Sequence, residues 1–397
     1  MESGPVRSFS LRLALLLALG APALRAAAPV PEKYAPLYQG LERILDTELA
    51  RPGPADIGRM PVACGDLLLA NGNRGPALLD PVTLRTIGPC LDRFRELGLG
   101  AIRLEVPYPL LRQDFPRHAE YLEFYRAVMH QARSRGFQVM IQVTVLFSDT
   151  PYSPFQRLYR GLDLDRFKRE YRGMVRVVLR QLQPDCLALL TEPDTQARLT
   201  GLPELAQPAV AAEVVNFVLA GTERGHTRIG AGSGSWSGPV YARAFAATPV
   251  DFITIHVYPI DGLFLKQARE MARIARAAGK PAVLDEAWLF KRLQPAANDP
   301  AFSAAVFRLD PYAFWQPLDR KFISLMLKLA REERLELVSF FWSSQFFAYL
   351  DYTPSLDWRR SARVRQLHGQ AAYQAILAGR FSSTGEHLRS ALRAGGP

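Results

Sequence analysis

Short apolar runs alternate with longer amphipathic segments along most of the chain. Each apolar run is bounded by Gly, Pro or a basic residue, as is typical of strands buried on both faces of a parallel sheet. We predict eight such strands, at 61–70, 100–109, 137–147, 184–193, 227–236, 250–259, 281–290 and 335–344. Between them, apolar residues recur at helical spacing. These segments predict helices at 84–98, 121–136, 167–182, 212–225, 265–280 and 322–334.

The alternation predicts an α/β protein with a parallel sheet, and eight repeats closing on themselves predict a (β/α)8 barrel, the TIM barrel. With 397 residues, the chain fits a single barrel domain with extensions better than two independent domains. The fifth strand contains Gly230, Gly232 and Gly234, which lower its strand propensity. If this strand or the first one is absent, an open doubly wound sheet is the alternative fold.

The N-terminus has the features of a signal peptide over residues 1–28. Arg7 and Arg12 precede an apolar run that is too short to cross a bilayer permanently, and small residues follow that run. We therefore predict an exported protein, periplasmic or extracellular, with no stable membrane anchor.

The chain carries two further extensions around the barrel, which we place at 60–380. An N-terminal helical extension is predicted for 29–59, with a helix over 36–50 that caps the bottom of the barrel. At the other end, residues 361–378 have a helical pattern, and the Gly- and Ser-containing segment 381–397 indicates a loose C-terminal tail.

Composition and charge exclude some classes of protein. The net charge is +11, but no basic run is interleaved with aromatic residues, so we predict no nucleic-acid partner and assign the excess to solvated helix faces. The three cysteines, Cys64, Cys90 and Cys186, are predicted to be core thiols with at most one disulfide, between Cys64 and Cys90.

Two of the predicted strands end in a glutamate. Glu192 closes the apolar stretch LALLTEPDT at 187–195, and Glu286 lies near the end of PAVLDEAWLF at 281–290. Barrel enzymes place their chemistry at the C-terminal ends of the strands. Because these two strands are the fourth and the seventh, their glutamates would face each other across the mouth of a closed barrel. Two facing carboxyl groups are the arrangement that glycoside hydrolysis uses.

At these positions the sequence resembles the retaining glycoside hydrolases of clan A, and its motifs are nearest to those of glycoside hydrolase family 5. Such barrels carry the acid/base glutamate after strand four, often as Asn-Glu-Pro, and the nucleophile after strand seven. Glu192 with Pro193 matches the first motif, and Glu286 matches the second. The segment IHVYP, with His256 and Tyr258, resembles the sixth-strand motif in which the tyrosine hydrogen-bonds the nucleophile.

Two more segments extend the resemblance, and two positions depart from it. IRLEVPYP resembles the second-strand arginine motif, which implies that Arg103 lies near the nucleophile, and Trp342 falls where such enzymes stack a sugar. Thr191 replaces the asparagine that usually binds the sugar 2-hydroxyl, and the third strand has no histidine of the family 5 type. A similarity to the endo-galactanases of family 53 rests on general shape.

The resemblance implies an exported hydrolase that cleaves the O-glycosidic bonds of an oligo- or polysaccharide by retaining double displacement. Glu192 is then the protonated acid/base and Glu286 the ionised nucleophile, and neither a metal nor a cofactor is required. The predicted substrate-binding residues are Arg103, Thr191, His256, Tyr258, Trp288 and Trp342. A carbohydrate-binding barrel that has lost catalysis, with Thr191 as its signature, is the alternative.

Three other acidic residues near the strand ends are assigned structural roles. We predict that Asp194 caps the helix after the fourth strand, that Asp285 points away from the cavity, and that Glu105 pairs with Arg103. The long connections at 148–163 and 291–317 are predicted to line or cover the site.

Overall fold

A closed barrel of eight parallel strands, in sequence order, forms the centre of the protein. The structure, a computed structural model, describes residues 28–149, 153–258, 262–292, 309–357 and 361–395. The strands are β1 Val62–Asp66, β2 Ala101–Glu105, β3 Gln138–Val143, β4 Cys186–Leu189, β5 Arg228–Gly234, β6 Phe252–Val257, β7 Ala282–Ala287 and β8 Leu337–Phe340. All eight predicted strands are present, so the (β/α)8 barrel is confirmed and the open doubly wound sheet is wrong.

The glycines of β5 are explained by how closely β6 approaches. A Cβ atom on Gly230 would lie 2.1 Å from the ring of Phe252, and one on Gly232 would lie 1.9 Å from the carbonyl oxygen of Thr254. Strand glycines commonly mark such close approaches. The low strand propensity of these residues is therefore offset by the packing that only glycine allows.

Helices surround the barrel, and six of them correspond to the six predicted from periodicity. They are α1 Ala35–Ala50, α2 Pro81–Leu97, α3 His118–Arg133, α4 Leu164–Gln181, α5 Pro193–Thr200, α6 Pro208–Leu219, α7 Val240–Ala246, α8 Gly262–Ala277, α9 Gln316–Glu332, α10 Ser361–Leu377 and α11 Ser383–Ala394. The short helices α5 and α7 were not predicted. No helix in the described part of the chain is both long and apolar enough to cross a membrane.

Both ends of the described chain pack against the barrel helices. The prediction of a loose C-terminal tail is wrong, because α11 forms there, capped by the Ser382 hydroxyl and anchored by the fully buried Leu388. The N-terminal helix α1 does not cap the barrel bottom as predicted. It packs against α9, where Lys328 donates a 2.8 Å hydrogen bond to the carbonyl oxygen of Leu49. The signal-peptide prediction falls almost entirely outside the described residues.

The lower part of the barrel interior is apolar. One side chain from every strand except β5 contributes to this layer, and its members are Cys64, Ala101, Met140, Ala188, Phe252, Val283 and Leu337. All three cysteines are free, so Cys64 and Cys90 do not form the disulfide that the sequence left open. Residues two positions further along the strands point into the same interior, one layer closer to the C-terminal rim.

Candidate active site

Charged side chains fill the barrel directly above this apolar layer. Asp66, Arg103 and Asp285 are fully buried, and Glu105 and Glu286 are nearly so. Burial, together with the charges of the neighbouring carboxylates, raises the pKa of Asp66 to about 7, even though the Arg103 guanidinium lowers it. Burial also raises the pKa of Glu105.

The two predicted catalytic glutamates meet on the C-terminal rim. Glu192 directly precedes α5, and Glu286 lies in β7. One carboxylate oxygen of Glu192, one ring nitrogen of His256 and one carboxylate oxygen of Glu286 all lie within 4.8 Å of one another. Just before Glu192, Leu190 has a φ of 44°, in the left-handed region that non-glycine residues rarely adopt. Such strain costs about 1–3 kcal/mol and concentrates at functional sites.

Both carboxylate oxygens of Glu286 are held by hydrogen-bond donors. Arg103 donates from Nη1 to Oε2, and the Tyr258 hydroxyl donates to Oε1. Arg103 is itself fixed by Asp66, to which its Nε donates at 2.9 Å. These two donors fix the orientation of the Glu286 carboxylate. Arg103 has no exposed surface, so it positions Glu286. This corrects the prediction that Arg103 binds the substrate.

Glu192 has a different partner and more solvent. Its Oε1 lies 2.7 Å from Nδ1 of His256, and its side chain is 20% exposed. On the other side of the ring, Nε2 lies 3.2 Å from Oδ1 of Asp285. Burial lowers the pKa of His256, but the charges of Asp285 and Glu286 and the hydrogen bonds raise it well above its ordinary value. His256 Nδ1 donates to Oε1 of Glu192, and its Nε2 lies 2.9 Å from the amide nitrogen of Gln142 as well as near Asp285.

Gln142 of β3 connects Arg103 with Thr191 and Asp285 through its side-chain amide. Its Oε1 accepts from Arg103 at 2.8 Å, which fixes the orientation of the amide. Its Nε2 then donates to Oγ1 of Thr191 at 2.8 Å and to Oδ2 of Asp285 at 3.3 Å. Sequence reasoning missed Gln142, although a polar residue inside the apolar run FQVMIQVTVLF was a usable signal.

The prediction that Asp285 points away from the cavity is wrong because β7 contains a bulge. The register pairs Ile255 with Leu284 and then His256 with Glu286, which leaves Asp285 as an extra residue. A bulge interrupts the alternation of side chains. Asp285 therefore follows the inward-facing Val283, and Glu286 also reaches the cavity.

The other two acidic residues also have partners that were not predicted. Glu192, not Asp194, is the N-cap residue of α5, but Asp194 Oδ1 accepts from the backbone N–H of Thr195 at 2.9 Å in the first turn, as a capping role requires. Its Oδ2 accepts from Trp236 at 3.1 Å. Glu105 accepts no hydrogen bond from Arg103 among the described contacts. Its carboxylate accepts from the side chains of Asn71 at 2.6 Å, Asn73 at 2.9 Å and Thr144 at 2.9 Å.

A cavity of about 530 Å³ lies above these groups, within the size range of ligand pockets. Among the predicted site residues, it is lined by Thr191, Glu192, His256, Glu286 and Trp342. Glu105, Asn71, Asn73, Gln142 and Thr144 line it too, and of these only Glu105 had been singled out. The sequence signal for Asn71 and Asn73 was weak, because polar residues are common in loops.

Trp288 does not belong to this lining, which corrects its predicted role in substrate binding. Its side chain is fully buried and packs edge-on against Phe346, with ring centroids 5.9 Å apart. Of the long connections, the first reaches the cavity through Ser153. Residues 150–152 and 293–308 of these connections lie outside the described part of the chain.

Glu192, His256 and Glu286 have the spacing of a potential metal site, but their donor chemistry does not fit one. Both oxygens of Glu286 already accept hydrogen bonds, from Arg103 and Tyr258. Nδ1 of His256 and Oε1 of Glu192 are already engaged with each other. The same contacts are better suited to proton transfer and nucleophilic attack.

Replacing Asp285 with asparagine is expected to lower the pKa of His256. The charge of Asp285 favours the imidazolium, so its removal should let the ring lose its proton at a lower pH. Nitrogen-15 NMR of labelled histidine would follow this: the wild-type ring should stay protonated well above about pH 6.5, the ordinary value. An unchanged titration in Asp285→Asn would contradict the effect of Asp285 on the pKa of His256.

The same substitution has a consequence for stability with a defined sign. The folded-state pKa of His256 lies above its unfolded value, so the stabilisation is fully present below about pH 6.5 and is lost as pH rises through the folded value. The free energy of unfolding of Asp285→Asn should therefore fall furthest below that of the wild type at low pH, and the difference should shrink as pH rises.

Comparison with known proteins supports the fold. No protein-family model and no curated protein sequence matches the chain. Among solved structures, a GH5_18 protein from Bifidobacterium longum subsp. longum is similar with a TM-score of 0.54 and 13% identity, over 85% of this chain and 79% of that chain. A variant of the GH5_18 protein from the same source, in complex with Manb1-4GlcNAc, gives a TM-score of 0.51 and 14% identity, over 84% of this chain and 78% of that chain. At these identities the likeness shows the barrel fold alone.

Proposed function

We propose that this protein is a glycoside hydrolase of the clan A type, closest in its motifs to family 5, which cleaves O-glycosidic bonds with retention. The observation that carries the proposal is the approach of Glu192 and Glu286, whose nearest oxygens lie within 4.8 Å on the C-terminal rim. Retaining enzymes hold their carboxyl groups about 5–5.5 Å apart, whereas inverting enzymes need about 6.5–9.5 Å to admit a water. The observed separation favours retention.

In the first step, Glu286 attacks the anomeric carbon. The new bond joins a Glu286 oxygen to that carbon, the glycosidic bond breaks, and the leaving oxygen takes a proton from Glu192. Arg103 and Tyr258 keep the Glu286 carboxylate oriented for the attack. His256 engages Oε1 of Glu192, which leaves Oε2 to carry the transferred proton.

In the second step, Glu192 acts as a base. It takes a proton from water, the water oxygen bonds to the anomeric carbon, and the bond to Glu286 breaks. The greater exposure of Glu192, 20% against 10% for the Glu286 side chain, suits the residue that has to meet water. The sugar is released with its original anomeric configuration.

The substrate that the proposal implies is an oligo- or polysaccharide. The disaccharide in the complex of the B. longum barrel supports this class, since the two proteins share a fold. Trp342 lines the cavity and offers a flat ring to a pyranose face. Export by way of residues 1–28 is part of the proposal and rests on the sequence.

A screen of aryl glycosides and polysaccharides, with the products followed by proton NMR, tests the proposal directly. We expect turnover of at least one substrate, with the first product formed in the same anomeric configuration as the substrate. An inverted first product would contradict the role of Glu286 as nucleophile. Binding of a glycan without turnover by the wild-type protein would instead favour the inactive carbohydrate-binding barrel.

A further inference from the structure

A second cavity of about 480 Å³ adjoins the first on the side of α2 and α10. The two cavities share five lining residues, which we call the junction: Leu68, Arg74, Trp342, Arg365 and Gln366. Because the same side chains line both spaces, a chain of sugars can extend from the catalytic glutamates past the junction. A glycan that runs from Glu286 into the second cavity would therefore contact the junction with a sugar other than the one that Glu286 attacks.

Arg74 is held at the junction by the turn after β1. Its Nη1 donates to the carbonyl oxygen of Leu69, and its Nη2 lies 3.4 Å from the hydroxyl of Thr83. The next residue, Gly75, has a φ of 54° and a ψ of −128°, which only glycine adopts readily. A Cβ atom there would also lie 2.7 Å from Pro154. The backbone thus fixes the direction of the arginine.

Arg74 forms no ion pair in the described part of the chain, although the Asp80 carboxylate acts on its charge from a longer distance. None of the carboxylates in the described part of the chain lies within 4 Å of its guanidinium, and burial lowers the pKa of Arg74. Asp80 also lines the second cavity, but its Oδ1 accepts from the backbone N–H of Val82 as the cap of α2. Of the five N–H donors of this guanidinium, two have partners among the described residues.

We propose that the junction binds an anionic group of the glycan, the carboxylate of a uronosyl residue or a sulfate ester, through Arg74. The inference rests on the proposed function, and it deepens that function by naming the substrate class. A planar guanidinium matches the two oxygens of a carboxylate or sulfate, and such charge-assisted pairs are among the strongest hydrogen bonds. Arg365 lines both cavities and adds a second positive charge. The net charge of +11 would attract an acidic polymer.

The test compares matched glycans on matched variants of the full chain. Wild type, Arg74→Gln, Arg74→Lys and the control Arg85→Gln, an exposed arginine of α2, would be assayed on uronate-containing, sulfated and neutral oligosaccharides. We expect Arg74→Gln to lower kcat/KM about 10- to 100-fold on the anionic substrate, the range for hydrogen bonds to charged groups. Neutral substrates should change by less than about threefold, and Arg74→Lys should restore part of the loss.

The uronate-containing and the sulfated oligosaccharides distinguish the two possible anionic groups. The native group is the one whose substrate depends on Arg74. Equal effects of Arg74→Gln on neutral and anionic glycans, or an equal effect of Arg85→Gln, would overturn the inference. Calorimetric binding to the Glu286→Ala protein makes the result independent of turnover. Arg74-dependent binding of the anionic glycan without wild-type turnover would contradict the proposed function while supporting this inference.

Discussion

Replacement of Glu286 by alanine is expected to abolish hydrolysis, with kcat falling by roughly 10⁴- to 10⁶-fold, the scale on which loss of a nucleophile is felt. The neighbouring carboxylates in the described part of the chain are not placed to take over. Glu105 is held by Asn71, Asn73 and Thr144, and Asp285 faces His256. In the proposed mechanism, Glu192 approaches the substrate as the acid. The rates would be measured with an aryl glycoside found in the screen.

Azide gives this prediction its sharpest test. The methyl group of Glu286→Ala leaves a space on the face from which the carboxylate attacks, and azide is small enough to enter it. The azide nitrogen bonds to the anomeric carbon as the aryl group leaves, so the product is a glycosyl azide of inverted configuration. Rescue with this stereochemistry places Glu286 on the attacking face.

A control variant separates catalysis from folding. Glu204→Ala removes an exposed glutamate elsewhere on the barrel and should keep wild-type activity. In Glu286→Ala, Arg103 keeps its contacts with Asp66 and Gln142, so the barrel should fold, as circular dichroism would show. Unchanged turnover by the folded variant would remove Glu286 from its role.

Replacement of Glu192 by glutamine is expected to affect substrates according to their leaving groups. General acid catalysis contributes about 10²- to 10⁴-fold, and a poor leaving group such as a sugar alcohol requires all of it. An activated aryl group leaves without a proton, so its first step should be largely spared. The amide oxygen of glutamine can still accept from His256, so the geometry is kept.

The measurement is kcat/KM over a series of aryl glycosides with different leaving-group acidity. The variant should show a steeper dependence on leaving-group pKa than the wild type, and loss of the base should make hydrolysis of the glycosyl-enzyme slow enough to give a burst of released phenol. Equal losses on good and poor leaving groups would exclude Glu192 as the acid.

The sequence predictions were more accurate for the type of each element than for the direction of its side chains. All eight strands were found, since burial on both faces leaves a continuous apolar run that needs no knowledge of neighbours. Trp288 was misassigned because an aromatic ring next to a strand end looks the same whether it faces the cavity or, as here, Phe346. Helix α11 was missed because its apolar contacts, including Leu388, belong to a surface formed only after folding.

By itself the sequence determined the order of strands and helices and the two glutamates at strand ends, because hydrophobic periodicity depends only on local backbone geometry. Tertiary structure alone decided that Glu286 reaches the cavity beside Asp285, because a bulge arises from the pairing of two strands. It also decided the contacts of His256 with Glu192 and Gln142 and the position of Arg74 between two cavities. Charge states and cavities depend on groups distant in the chain, which only closure of the barrel brings together.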